Sequence, residues 1–151
     1  MLLLPSKKFS WILLALFFIF DAFSSYYAVS YMGGKEGNPF IASYVQNNPK
    51  LFFPIMIFGY ILAYLIYSIL KIMLWNFLKR FKFVTQTLVE QIVIVAIAIF
   101  YFFTVILNNS LYLIGFRVPG TLRVNLIIGL VAAPIYGLFV LYMSSKNKVI
   151  T

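Results

Sequence analysis

"FSWILLALFFIFDAFSSYYAVSYM", residues 9–32, is an apolar run of 24 residues broken by a single charge, Asp21. A helix rises about 1.5 Å per residue, so about 20 residues cross a hydrocarbon core of about 30 Å. The stretch therefore predicts a transmembrane helix. Lys7 and Lys8 precede it as basic residues precede a signal peptide's apolar segment, and "YAVS" resembles a cleavage site. Asp21 interrupts the run, however, and the segment is read as a retained anchor.

The rest of the chain has the same character. Its 151 residues are 64% hydrophobic and 10% charged, with a mean hydropathy of +1.00. Soluble domains run to about 45–50% apolar and about 25% charged residues, so the surrounding solvent must be lipid. Three further runs have spanning length: about 51–75, 88–107 and 122–143. The expected fold is all-α, one domain over residues 1–151, with four transmembrane helices spanning about 9–32, 51–75, 88–107 and 122–143.

Charge orients it. Of the 12 Lys and Arg, eight (Lys7, Lys8, Lys71, Lys79, Arg80, Lys82, Lys146, Lys148) fall on one side, and four (Lys35, Lys50, Arg117, Arg123) on the other. The positive-inside rule puts both termini in the cytoplasm of a cell-membrane protein. Lys79, Arg80 and Lys82 are candidates for contact with anionic headgroups. No basic-aromatic stripe suggests nucleic acid.

Cysteine and histidine are absent and only three acids occur: Asp21, Glu36 and Glu90. Disulfides, thiolate chemistry, imidazole ligation and near-neutral proton transfer by histidine are excluded. This inventory points away from an enzyme, a resident metal and a cofactor.

Asp21 carries the most information. It stands twelve residues after Phe9 and eleven before Met32, near the bilayer midplane. An ionised carboxylate there costs at least about 2.5–3.5 kcal/mol, so it should face protein or water. Ser24 and Ser25, three and four residues on, share its helical face. Thr104, Asn108, Arg123 and Asn125 are the expected partners from the third and fourth helices, with Arg123 placed to pair with Asp21 or Glu36. An intramembrane network of Asp21, Ser24, Ser25, Glu36, Asn108, Arg123 and Asn125 follows. It serves either to stitch helices together or as a substrate or coupling-ion site.

Between the first two helices, "YMGGKEGNPF" (31–40) supplies turn glycines and then Asn38-Pro39. Asn at an N-cap followed by Pro is a helix-start signal, and Asn48-Pro49 repeats it. A short outer interfacial helix is expected after Asn38-Pro39. Asn108-Asn109-Ser110 fits the N-glycosylation pattern, with Asn108 as acceptor. Glu90 is expected to pair at the surface with Lys79, Arg80 or Lys82. Gly129, Ala133 and Gly137 repeat every four residues, a small-residue face for close helix packing, either within the bundle or against another subunit. Pro134 beside them predicts a kink.

Asp21, Ser24, Gly33, Glu36, Asn38 and Pro39 form an Asp-x-x-Ser/Thr … Gly-x-x-Glu-x-Asn-Pro pattern. It resembles an uncharacterised family of small archaeal and bacterial polytopic membrane proteins, over about the first third of the chain. The resemblance implies a membrane fold and an archaeal source, and carries no activity. "NFLKRFKF" (76–83) is similar to a segment of small four-helix proteins implicated in moving polyprenyl-linked sugars. By elimination, the first expectation is a non-catalytic accessory subunit of a larger membrane complex, partnered by other integral subunits. The alternative is a small homo-oligomeric transporter or channel with Asp21 as its intramembrane coupling residue.

Overall fold

The structure, a computed structural model, describes residues 2–36, 40–115, 121–146 and 149–150, with side chains for 4–36, 40–115 and 124–146. Four helices are long and apolar enough to cross a membrane. The chain is an all-α, multi-pass membrane protein.

Helix α1 (Lys7–Tyr31) starts at Ser6, whose hydroxyl accepts from the Phe9 amide at 3.2 Å. This occupies one of the otherwise orphaned N–H groups of the first turn. Its far end is closed by the glycines of "YMGG". Gly33 sits at φ +65°, a left-handed conformation open to glycine. The turn lets the Gly34 amide donate to the Ala28 carbonyl at 2.8 Å. A Cβ on Gly34 would meet that same carbonyl oxygen at 2.9 Å and the Tyr112 hydroxyl at 2.9 Å.

The short interhelical helix, α2 (Ala42–Asn47), begins after Ile41. Asn38 and Pro39 lie outside the described residues. Pro49 does open the second span, through a 3-10 turn (Pro49–Leu51) that leads into α3 (Phe52–Leu78). The Asn48 side chain makes no capping hydrogen bond, so the expected cap is not formed. Its backbone, at φ −143° and ψ 84°, has already left the helix.

The third span runs from Gln86 to Leu113, six residues beyond the expected end. It consists of α4 (Gln86–Tyr101), one wide π-helical stretch (Phe102–Ile106) and α5 (Leu107–Leu113). Thr85 caps its start, accepting from the Leu88 amide at 3.1 Å. The fourth span, α6 (Thr121–Ser145), continues helical through Pro134.

Burial identifies the axis of the bundle. The most apolar stretch of the third span is 44% buried, against 22%, 11% and 17% for the first, second and fourth. The other helices pack around it. Leu14 and Phe18 of α1 and Ala63 and Tyr67 of α3 join Val89, Val93 and Ala98 of α4 in one core. On the adjoining face of α4, Leu88 and Ile92 meet Val140 of α6. Outward-facing side chains such as Phe58, Ile69 and Leu138 are exposed. In a bilayer they face acyl chains at no cost.

Gly129, Ala133 and Gly137 are used within the chain. A Cβ on Gly129 would lie 3.1 Å from the Thr104 methyl and 3.2 Å from the Phe100 carbonyl. One on Gly137 would lie 3.4 Å from Ile92. Close approach of α6 to the third span is what the two glycines permit, with Ala133 partly buried between them. At the bundle end carrying Lys7 and Leu78, Leu2–Leu3 and Val149–Ile150 run side by side as a two-residue parallel pair, bringing the two ends of the chain together.

Candidate functional site: a carboxylate held inside the bundle

Asp21 projects from the middle of α1 toward the third span. One oxygen, Oδ2, accepts from the Tyr101 hydroxyl at 2.6 Å. The other, Oδ1, accepts from the Asn109 amide at 2.8 Å and from the Ser25 hydroxyl at 3.2 Å. Asn109 Nδ2 also lies 3.0 Å from Ser24 Oγ and 3.3 Å from Ser25 Oγ. Ser24 in turn donates to the Asp21 backbone carbonyl at 3.1 Å. The carboxylate is thus met by donors from three helices, α1, α4 and α5, the compensation that a polar group removed from water needs.

These groups line a cavity of about 430 Å3. Phe18, Asp21 and Tyr101 line it; Phe52, Ile55 and Met56 of the second span form an apolar wall. Asn108, Thr104 and Tyr112 line it from the third span, and Gly34, Lys35, Glu36 and Ile41 from the interhelical segment. Lys35 is exposed, so the cavity reaches the surface at that end of the bundle. Gln46 of α2 steadies the segment, donating to the Gly34 carbonyl at 3.2 Å.

Toward the chain termini the same three spans close tightly. Phe18 stacks on Tyr101 at 4.2 Å and meets Tyr60 edge-on at 5.7 Å. Trp11 then contacts Tyr60 at 5.8 Å and Tyr67 at 5.1 Å. Beyond these rings, Lys7 Nζ lies 2.7 Å from Glu90 Oε2, and Lys71 Nζ lies 3.8 Å from Glu90 Oε1. Both ammonium groups also lie over the Tyr67 ring.

Of the residues expected at an intramembrane network, Asp21, Ser24 and Ser25 are bonded together, and Glu36 and Asn108 line the same cavity. The side chain of Arg123 falls outside the described residues. Asn125 does not join: it is 6% exposed on α6, with its amide nitrogen buried and unpartnered among the described residues. Thr104 spends its hydroxyl on its own helix, donating to the Phe100 carbonyl at 2.8 Å. Tyr101 and Asn109, which do meet Asp21, escaped the sequence reading. Tyr101 was one of 11 tyrosines, and Asn109 stood one residue past the expected face.

Glu90 also has different partners from those expected. It pairs with Lys7 and Lys71, from the first and second spans. Lys79 instead donates to Asn76 at 3.3 Å, and Arg80 stacks over the Phe77 and Phe81 rings. Trp11 packs inward on the tyrosines of α3.

Among the described residues no group of three or more acids, cysteines or histidines gathers as a metal site. In comparisons with protein-family models, curated proteins and solved structures, none matches this chain.

Proposed function

We propose that this protein is a small solute-binding transporter of the membrane, with Asp21 as the residue that anchors its substrate. One observation carries the reading: the carboxylate of Asp21, a partly buried residue, is pre-positioned by Tyr101, Asn109 and Ser25 in the lining of a cavity that reaches the surface. Intramembrane acids are functional by default, and this one sits in a site of the size class that binds small molecules, about 300–1,000 Å3.

With both termini in the cytoplasm, as the distribution of Lys and Arg favours, the cavity opens away from the cytoplasm. The Phe18–Tyr101 stack, the Trp11 cluster and the Lys7–Glu90–Lys71 group then close the cytoplasmic path. This is an outward-open arrangement within one chain, whether or not copies associate. The glycine face packs against Thr104, Phe100 and Ile92 within this chain, so it adds nothing to the accessory-subunit reading, which rests on elimination.

Reconstitution in vesicles tests the reading. Solute gradients should drive flux or charge movement through the wild-type protein, and Asp21→Asn should abolish it while the protein still inserts and purifies as before. Unchanged flux in Asp21→Asn would remove Asp21 from the mechanism. Recovery from native membranes only within a larger assembly, together with no flux when isolated, would return the protein to an accessory role.

A further inference from the structure

We infer that the turn between α3 and α4, residues 79–83, docks anionic phospholipid headgroups, with the Arg80 guanidinium on the phosphate and exposed phenylalanine rings beside the acyl chains. The inference does not involve Asp21 and goes beyond transport.

The turn holds its side chains outward. Leu78 and Val84, on either side of it, are buried in the main core. The Phe81 amide donates to the Leu78 carbonyl at 2.9 Å, and the Val84 amide to the Phe81 carbonyl at 3.0 Å. From the end of α6, the Ser144 hydroxyl donates to the Phe83 carbonyl at 3.4 Å. Between these ties the residues of "KRFKF" are all exposed. The second span ends at Leu78, so they stand where hydrocarbon gives way to headgroups.

Positive charge is unopposed there. The chain has three acidic side chains, and each is placed elsewhere. Glu90 pairs with Lys7 and Lys71, while Asp21 and Glu36 line the cavity. Arg80 Cζ lies 4.8 Å from the centre of the Phe77 ring and 5.2 Å from that of Phe81. No acidic side chain takes its N–H groups, so the fork that grips a phosphate bidentately is available. Lys79 donates to Asn76 and has further N–H donors to offer. Lys8 and Lys146, exposed at the same end, extend the basic surface.

The rings decide the kind of anion. Phe77, Phe81 and Phe83 are exposed, and the last two lie against each other at 5.8 Å. At the bilayer boundary such rings rest on acyl chains, which a soluble anion does not bring. A lipid supplies both parts, a phosphate for the guanidinium and a chain for the rings. With both termini in the cytoplasm, this face meets the inner leaflet, whose anionic lipids attract basic residues placed in this way.

The test is tryptophan quenching by brominated lipids in vesicles that hold the full-length protein. Trp75, whose carbonyl accepts from the Lys79 amide at 2.8 Å, reports from beside the turn. At equal mole fraction, brominated phosphatidylglycerol should quench more than brominated phosphatidylcholine. Arg80→Gln should lower that preference by about fivefold, the weight of one basic residue at an anionic surface. Adding Lys79→Gln and Lys82→Gln should lower it further, and Lys50→Gln, at the other end, should match the wild type. Arg80→Lys keeps the charge without the fork and should restore only part of the preference; full restoration would overturn the bidentate contact. Sodium phosphate should compete no better than sodium chloride of equal ionic strength, and stronger competition would overturn a lipid as the ligand. If the triple variant does not insert, Arg80→Gln decides alone. Equal quenching by the two lipids, or a preference unchanged in Arg80→Gln, overturns the proposal.

Discussion

Tyr101 and Asn109 reach the same carboxylate from positions eight residues apart in one span. On a regular α-helix, at about 100° per residue, eight residues leave two side chains about 80° apart, whereas seven leave them about 20° apart. The π-helical stretch at Phe102–Ile106 resolves the difference. Its Leu107 amide bonds back five residues to the Phe102 carbonyl, which takes up one extra residue in a turn. Asn109 therefore occupies the place that Asn108 would have had.

Exchanging the asparagines exposes that shift. Asn109→Ala strips a donor from Asp21 Oδ1 and from the two serines. It should destabilise the protein by about 1–3 kcal/mol, the usual penalty for a buried polar group left short of a partner. Asn108→Ala should cost less than half as much. Melting of the purified variants in the same detergent measures both, and equal losses would mean that the register around the wide turn is different.

Removing the extra residue should be tolerated. Deleting Phe103 gives the stretch the chance to relax to α-helix, and places Asn109 seven positions after Tyr101, still facing Asp21. Inserting an alanine after Phe103 instead turns Asn109 away by about 100°. The deletion should retain a melting temperature near the wild type and the insertion should lower it. A deletion as damaging as the insertion would count against the π-turn as the device that sets the face.

The same turn explains which parts were legible in the sequence. Four spans were readable because lipid solvation imposes length and hydropathy on each one, independent of its neighbours. Asp21, Ser24 and Ser25 were readable because α1 is a regular helix and the 3.6-residue period holds there. The facing half of the site was not. Counting by that same period across residues 102–106 selects Thr104 and Asn108, and the register slips by one just where it matters. Glu90 misled for a different reason. Lys79, Arg80 and Lys82 are near it in sequence, but the turn between α3 and α4 leaves them elsewhere, and Lys7 arrives from a helix more than 80 residues away.

Gly129 and Gly137 should respond unequally to added bulk. At Gly129 a Cβ already presses on a backbone carbonyl, at 3.2 Å, and on the Thr104 methyl. Gly129→Leu should therefore separate α6 from the third span and lower stability by about 1–3 kcal/mol or more, an overpacking effect. At Gly137 the nearest atom is a side-chain methyl at 3.4 Å, an ordinary contact, so Gly137→Ala should melt close to the wild type. Melting curves of the isolated chain report this directly. Were Gly129→Leu as stable as the wild type, the small-residue face would be free for a partner after all.

Topology is testable because the chain has no cysteine, so each introduced thiol reports one position without background. Lys8 and Lys82 are exposed at the end of the bundle where the chain termini meet, and Lys50 is exposed at the end onto which the cavity opens. Intact cells treated with a membrane-impermeant maleimide should label Lys50→Cys and leave Lys8→Cys and Lys82→Cys unreacted until the cells are opened. That outcome follows from the eight basic residues on the terminal side against four on the other. The reverse pattern would leave every contact at Asp21 intact and still invert its role, since a solute would then enter the cavity from the cytoplasm and face the Lys7–Glu90–Lys71 group on its way out.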